Sequence, residues 1–331
     1  MTADPIGIAE VRAAAARIGA DIVRTPVLTS PRLDALARGR VFIKAENLQR
    51  TGSFKFRGAA NRIRALDAGQ RSRGVVAFSS GNHALAIADA SRLAGVPATV
   101  IMPADAPGIK IEGARQRAAT VILYDRERED REQIGRALVA EHGLTLVPPF
   151  DDPFVIAGQG TGALEAVAQI AEDTTTPIDQ ALVCCSGGGL AAGWAIALAE
   201  AAPTARVVTV EPAGFDDMAR SLASGAWERN PRLSGSICDA LLVPAPGRLT
   251  LPILASHGVY GVAVSDDAVL EAIRFAAREL KLVLEPGGTA ALAAVLSGAV
   301  ETAGRTTLIV ASGGNIDPTL FKAALEQPVA A

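Results

Sequence analysis

Lys55 stands just past a Thr-Gly-Ser turn, in Gly52-Ser53-Phe54-Lys55-Phe56, where a helix is expected to begin. The Ser53 hydroxyl is placed to cap that helix. Its first-turn N–H groups and positive dipole end would surround the Lys55 ammonium with partial positive charge. A field of that sign favours the neutral amine, which can attack an aldehyde or remove a proton. The chain has only five lysines, so one set between two phenylalanines invites a specific explanation.

Three glycine turns accompany it. Ser186-Gly187-Gly188-Gly189-Leu190 follows an expected strand and opens an expected helix. That arrangement presents several backbone N–H groups to an anion. It is neither a GxGxxG fingerprint nor a Walker A loop, since no Lys-Ser/Thr pair follows. Beside an activated amine, it points to an aldehyde cofactor that carries a phosphate. Ser79-Ser80-Gly81-Asn82-His83 is the second turn. Asn82 could hydrogen-bond a ring hydroxyl or a carboxylate, and Ser80 with nearby N–H groups could hold a carboxylate or simply cap the helix. His83 reads as structural. Ala311-Ser312-Gly313-Gly314-Asn315 closes the last strand and presents the Ser312 hydroxyl. Separately, Glu211-Pro212-Ala213-Gly214-Phe215-Asp216-Asp217 brings acids to both ends of a short loop. Glu211, Asp217 and a carbonyl between them could converge on a hard divalent ion, or the acids could serve a helix dipole.

The elements that must position these residues alternate as in an α/β chain. Val41–Ala45 reads as a strand leading into the Lys55 loop, after an N-terminal helix ending near Gly19 and an extended Arg24–Leu28 segment. Strands at Val75–Phe78, Ala98–Met102, Val121–Tyr124 and Thr145–Val147 recur about every 23 residues, as parallel βαβ units should. Helices are expected over His83–Leu93, Ile109–Ala118 and Glu129–Glu141, then Gly162–Ala171, Leu190–Ala201, Asp266–Glu279 and Thr289–Ser297. Further strands fall at Ala181–Cys185, Val207–Val210 and Thr307–Val310. Residues 225–247 carry no clear pattern. The expected architecture is two α/β domains, each an open, mostly parallel sheet flanked by helices: a larger one from 1–73 and 151–331 and a small mobile one from 74–150.

A chain of 331 residues with 49% hydrophobic content can bury a large core. A net charge of −3 and 4% aromatic residues give no footing for nucleic acid. No basic leader precedes an apolar run and no stretch reaches membrane-spanning length, so a soluble, cytoplasmic protein is expected. Three cysteines, two of them the adjacent Cys184 and Cys185, suit neither a disulfide framework nor a CxxC pair. Both read as small apolar strand residues.

In this order, Gly-Ser-Phe-Lys55, Ser-Ser-Gly-Asn82-His, Ser186-Gly-Gly-Gly-Leu190 and Ser312-Gly-Gly-Asn resemble the fold-type II (tryptophan synthase β-like) pyridoxal phosphate enzymes. Within them the chain is similar to the serine/threonine dehydratase and serine racemase branch, from about Arg24 to Asp317. The resemblance implies that Lys55 carries the cofactor as a Schiff base and Asn82 touches its ring oxygen. It also implies that Ser186 to Leu190 bind its phosphate and that Ser312 meets the pyridine nitrogen. A serine hydroxyl cannot keep that nitrogen protonated, so the ring is a weaker electron sink and expulsion of a β-substituent is the favoured outlet. Glu211, the Phe215 carbonyl and Asp217 would hold Mg²⁺ or Ca²⁺. Ser80 matches the serine that racemases use as the second base, whereas Ala84 resembles the dehydratases. Ser79, Gly81 and His83 would line the substrate site with Ser80 and Asn82. Arg131 matches a racemase arginine and would suit a β-carboxylate, and Glu285 in Glu-Pro-Gly-Gly would face the ring.

The expected function is an ammonia-lyase that converts L-threonine or L-serine to a 2-oxo acid and ammonia. Alternatives are an amino-acid racemase, a 3-hydroxyaspartate or hydroxyectoine-pathway dehydratase, and a nucleotide-binding α/β protein without covalent chemistry. A homodimer is the expected assembly. The chain stops at Ala331 without a regulatory domain, so feedback by isoleucine is not expected.

Overall fold

The computed structural model describes residues 6–79, 81–106, 108–125 and 127–326. Among the described residues ten strands form two sheets. They are Val27–Leu28 (β1), Arg40–Lys44 (β2), Val75–Phe78 (β3), Ala98–Pro103 (β4), Thr120–Tyr124 (β5), Thr145–Leu146 (β6), Gln180–Cys184 (β7), Arg206–Pro212 (β8), Tyr260–Val264 (β9) and Thr306–Val310 (β10). The larger sheet runs β1-β2-β10-β7-β8-β9 and is parallel except for β1, which pairs antiparallel with β2. The smaller runs β5-β4-β3-β6 and is parallel throughout. The α/β class read from the alternating pattern is the class observed.

Parallel sheets covered on both faces need continuous apolar strands, and β7 and β10 are buried at every residue. The helices over them are apolar all round: Gly189–Ala201 and Pro286–Leu296 bury ten residues each. Helix Pro153–Asp173 crosses Gly189–Ala201 backbone against backbone. A Cβ on Gly193 would fall 2.3 Å from the Ile156 carbonyl oxygen, and one on Gly160 would fall 2.6 Å from that of Gly193. This crossing explains why the helix was expected to start only at Gly162. Its first turns carry the glycines that a close crossing requires, although Asp152 caps it at the Val155 N–H and Pro153 opens it. Helix Gly108–Arg115 ends earlier than expected, because Ala118 adopts a left-handed φ of 61°. Strand β9 escaped the sequence reading because it is a half-exposed edge.

The topology brings strand ends together. The chain changes direction between β3 and its neighbours β4 and β6, and the crevice of such a sheet opens at the carboxyl end of that strand. In the larger sheet β10 lies between β2 and β7, so residues after 44, 184 and 310 share one edge.

Beneath that edge lies a buried ionic network. Glu46 and Arg57 are both 1% exposed at their side chains and meet in two bonds, Nε to Oε2 and Nη2 to Oε1, each 2.8 Å. Arg57 also reaches Glu165 at 3.0 Å, and Glu165 accepts from the fully buried Lys44 at 2.6 Å. Lys44 further donates to the Thr25 carbonyl and to Gln169, and Thr25 donates to Glu46. Burial, the largest single influence, raises the Glu46 pKa; the Arg57 charge, the hydrogen bonds from Arg57 and Thr25 and the Lys44 charge together outweigh it and hold the carboxyl below its ordinary value. The Glu46→Gln substitution removes one charge and leaves Arg57 half-satisfied. It is expected to cost about 3 kcal/mol of stability, near the lower end for breaking a buried pair, as read from urea unfolding midpoints.

Candidate active site

The two sheets face each other across a cavity of about 200 Å³. Its wall includes Lys55, Ser79, Gly81, Asn82, His83, Arg131, Ser186–Leu190, Glu285 and Ser312, which the sequence reading singled out separately. Ser80 lies outside the described residues.

Lys55 opens helix Lys55–Arg64. Ser53 does not cap this helix, contrary to expectation. It is extended, bridges to Gly313, and its hydroxyl is buried without a partner among the described residues, while Phe54 precedes the first turn. The approach is strained: Thr51 is β-branched yet adopts φ 61°. It is secured by Asn315, whose amide donates to the Thr51 carbonyl at 2.8 Å. The Lys55 amine donates to the Pro149 carbonyl at 2.8 Å and stands 5.1 Å from the Phe54 ring centre. Burial lowers its pKa to about 8, only partly opposed by Cys184 and Glu285. Desolvation by the two sheets is therefore the main cause, where the sequence had suggested the helix dipole.

The glycine turn tolerates no side chain. A Cβ on Gly187 would strike the Phe150 ring at 2.4 Å, and one on Gly189 would strike the Phe150 backbone at 2.9 Å. Gly188 has φ +91°. The bare backbone thus lines the cavity at the start of helix Gly189–Ala201, where N–H groups lack intrahelical partners. This fits a phosphate. Thr250 and Gly247 brace the turn from behind, both donating to the Gly187 carbonyl.

Opposite stands a polar chain. Asn315 donates to Asn82 Oδ1 at 2.7 Å, and Asn82 donates to Glu285 Oε1 at 2.5 Å. Asn315 was quoted in a motif but not expected at the site; its signal was the asparagine that ends the last glycine turn. Burial raises the Glu285 pKa to about 7. Burial likewise lowers His83 to about 3, so the ring is neutral and its Nε2–H donates to the Val147 carbonyl at 2.9 Å. Ser79 accepts from the Gly81 N–H. Arg131 stacks 5.5 Å from the Phe78 ring centre at the cavity mouth. Lys110, missed by the sequence reading, reaches the same mouth and pairs with Asp239 at 3.8 Å. No spacing ties residue 110 to residue 131; only the fold brings them together.

Glu211, near the end of β8, and Asp217, which opens the helix Asp217–Ser224, are both fully buried. The Glu211 carboxylate accepts from the N–H groups of Met218 and Ala219 at 3.1 and 2.8 Å. Asp217 Oδ1 accepts from Asn230, while Oδ2 is buried without a partner among the described residues. Burial raises both acids, Glu211 far above its ordinary value and Asp217 to about 6. Phe215 is buried beneath Arg232. Among the described residues no group of three His, Cys, Asp or Glu side chains is placed to hold a metal.

Residues 18–313 match the family described as "Pyridoxal-phosphate dependent enzyme". The chain is 44% identical over 308 residues to an L-threo-3-hydroxyaspartate ammonia-lyase of Pseudomonas sp., covering 93% of this chain and 95% of that one. It is 40% identical to an enzyme of the same name from Saccharomyces cerevisiae, covering 93% of each. The solved structure of maize serine racemase superposes with a TM-score of 0.90 at 37% identity, covering 97% of each chain.

The raised Glu285 pKa has a measurable sign. Between pH 4.5, an ordinary value, and about 7 the folded state keeps a proton that the unfolded chain releases, so stability falls as pH rises through that window. Glu285→Gln is expected to remove this fall. At pH 8 it should stabilise the fold by roughly 2–3 kcal/mol, seen in urea midpoints recorded across pH.

Proposed function

We propose that this chain, which belongs to the pyridoxal-phosphate dependent enzyme family, is an ammonia-lyase for 3-hydroxyaspartate, releasing oxaloacetate and ammonia. The observation that carries the reading is the pair of cations, Lys110 and Arg131, at the mouth of a cavity whose other wall bears the Lys55 amine. Serine and threonine offer nothing for a second cation. A β-carboxylate does, and two relatives described above are named for that substrate. These observations support one of the narrower alternatives of the sequence reading over threonine and serine.

The residues present fit the cofactor: Lys55 would hold its aldehyde, the Ser186–Leu190 turn its phosphate, Asn82 its ring oxygen and Ser312 its ring nitrogen. When bound, pyridoxal phosphate supplies an electron sink for the charge left on the substrate's Cα. The chain supplies the rest. The Lys55 amine, with its pKa lowered to about 8, takes the Cα proton. Asn82, fixed between Asn315 and Glu285, orients what lies above it. Lys110 and Arg131 draw the β-carboxylate to the mouth, and the segment 74–150 closes over it. Loss of the β-hydroxyl then balances the lost proton, and hydrolysis yields the 2-oxo acid and ammonia.

The likeness to serine racemase supports a second reading, in which Ser80 serves as a base on the face opposite Lys55. One assay separates the two. The protein with pyridoxal phosphate is offered L-threo-3-hydroxyaspartate, L-serine and L-threonine, and ammonia, 2-oxo acid and D-isomer are measured. The highest kcat/KM is expected for hydroxyaspartate; preference for serine or threonine would refute the proposed substrate, and D-serine without ammonia would favour the racemase. In Lys110→Ala and Arg131→Ala, the preference for hydroxyaspartate over serine should fall about tenfold or more, the worth of one charge-assisted bond.

We also propose that Glu211, Asp217 and the Phe215 carbonyl hold a divalent cation. The unpartnered Asp217 oxygen beside a second buried acid supports this. Chelator should lower the melting temperature, and Mg²⁺ or Ca²⁺ should raise it again, with a gain in stability of about 2.7 kcal/mol at a hundredfold excess over Kd. An unchanged melting curve would remove these residues from the site.

A further inference from the structure

Cys184 ends β7 and Ser312 follows β10, its neighbour in the larger sheet. Both are buried, at 4% and 3% exposure, and both line the cavity. The Cys184 Sγ–H donates to Ser312 Oγ at 3.0 Å. Among the described residues that thiol is the only partner of the Ser312 hydroxyl, which donates to no acceptor there.

We propose that Cys184 is a positioning residue: by donating to Ser312 Oγ it turns the serine proton into the cavity, toward the ring nitrogen of pyridoxal phosphate. The inference rests on the cofactor reading above and deepens it. A hydroxyl has one proton and two lone pairs. A donor on one lone pair holds the O–H bond away from the sulfur, and the remaining direction is the open cavity. Without that donor the hydroxyl rotates freely and can present a lone pair to the ring nitrogen, which is itself an acceptor; two acceptors face to face repel. The arrangement requires the thiol rather than the thiolate. Burial secures this by pushing the Cys184 pKa up to about 11. Valine or alanine would fill the strand end as well, so packing alone does not call for a cysteine here.

The test is a double-mutant cycle on cofactor affinity, which needs no amino-acid substrate. Pyridoxal phosphate is titrated by visible absorption into the full chain freed of cofactor. The chains compared are native, Cys184→Ala, Cys184→Ser, Ser312→Ala and the double Cys184→Ala/Ser312→Ala. Cys184→Ala should weaken binding about two- to tenfold, the range for one neutral hydrogen bond, and Cys184→Ser should restore most of it. In the Ser312→Ala background, Cys184→Ala should change nothing. Equal losses in both backgrounds, or no loss in either, would overturn the positioning role and make Cys184 a packing residue. If Ser312→Ala binds as the native chain does, the ring-nitrogen contact itself is wrong, and this inference falls with it. A native chain that takes up no pyridoxal phosphate would instead refute the cofactor reading. Melting temperatures of the cofactor-free variants separate these effects from a loss of fold.

Discussion

The Glu46–Arg57 ion pair is the constraint on which the site depends. Lys55 sits two residues before Arg57 and nine after Glu46, so the pair closes the loop that presents the amine. A loop carrying a strained Thr51 would otherwise relax, and the amine would lose its place over Pro149. Because Glu165 and Lys44 extend the pair into the long helix Pro153–Asp173 and strand β2, the amine is tied to the core of the larger sheet. Charges buried this deeply stabilise little by themselves, and their use here is to fix one geometry at the edge where three segments meet.

Burial then does for the site what charge does for its foundation. The lysine is pulled down to about 8 and the nearby glutamate pushed up to about 7 by the same exclusion of water. Each is thereby brought near neutrality, where a group can both take and return a proton. The histidine at the same wall goes too far, to about 3, and is left as a neutral strut on Val147. Three titratable groups within one cavity thus acquire different duties from their depth and neighbours rather than from their type.

Much of this was legible in the sequence, for a definite reason. Glycine turns after apolar strands are local signals, and so are the strands themselves, so the strand ends at Ser79, Ser186 and Ser312 could be located from short windows. The convergence of these turns followed from parallel alternation. What was not legible depends on contacts between distant positions. Lys110 and Arg131, each in the first turn of its own helix, reach one cavity only through the fold, and Arg57 finds Glu46 and Glu165 from separate elements. The Ser53 cap failed because tertiary pairing with Gly313 draws that residue into an extended bridge, overriding the local preference for a helix start. The cysteines read as filler, since a strand sequence does not reveal which neighbour a thiol will face.

The cavity draws its wall from both sheets. Lys55, the glycine turn and Ser312 rise from the larger sheet, whose helices cross backbone to backbone and leave no slack. Asn82, Lys110 and Arg131 rise from the smaller sheet. The ion pair that joins Lys110 to the other half spans 3.8 Å, and Asp239 is 72% exposed. Such a pair contributes little to stability, so it can open and re-form as a charged ligand passes. In the proposed reading, chemistry common to many amino acids would rest on the larger sheet's wall, and the choice among them on two cations that cost the fold little to alter. On that reading a change of substrate would need substitutions only at the mouth, and the wall that carries the Lys55 amine could stay as it is.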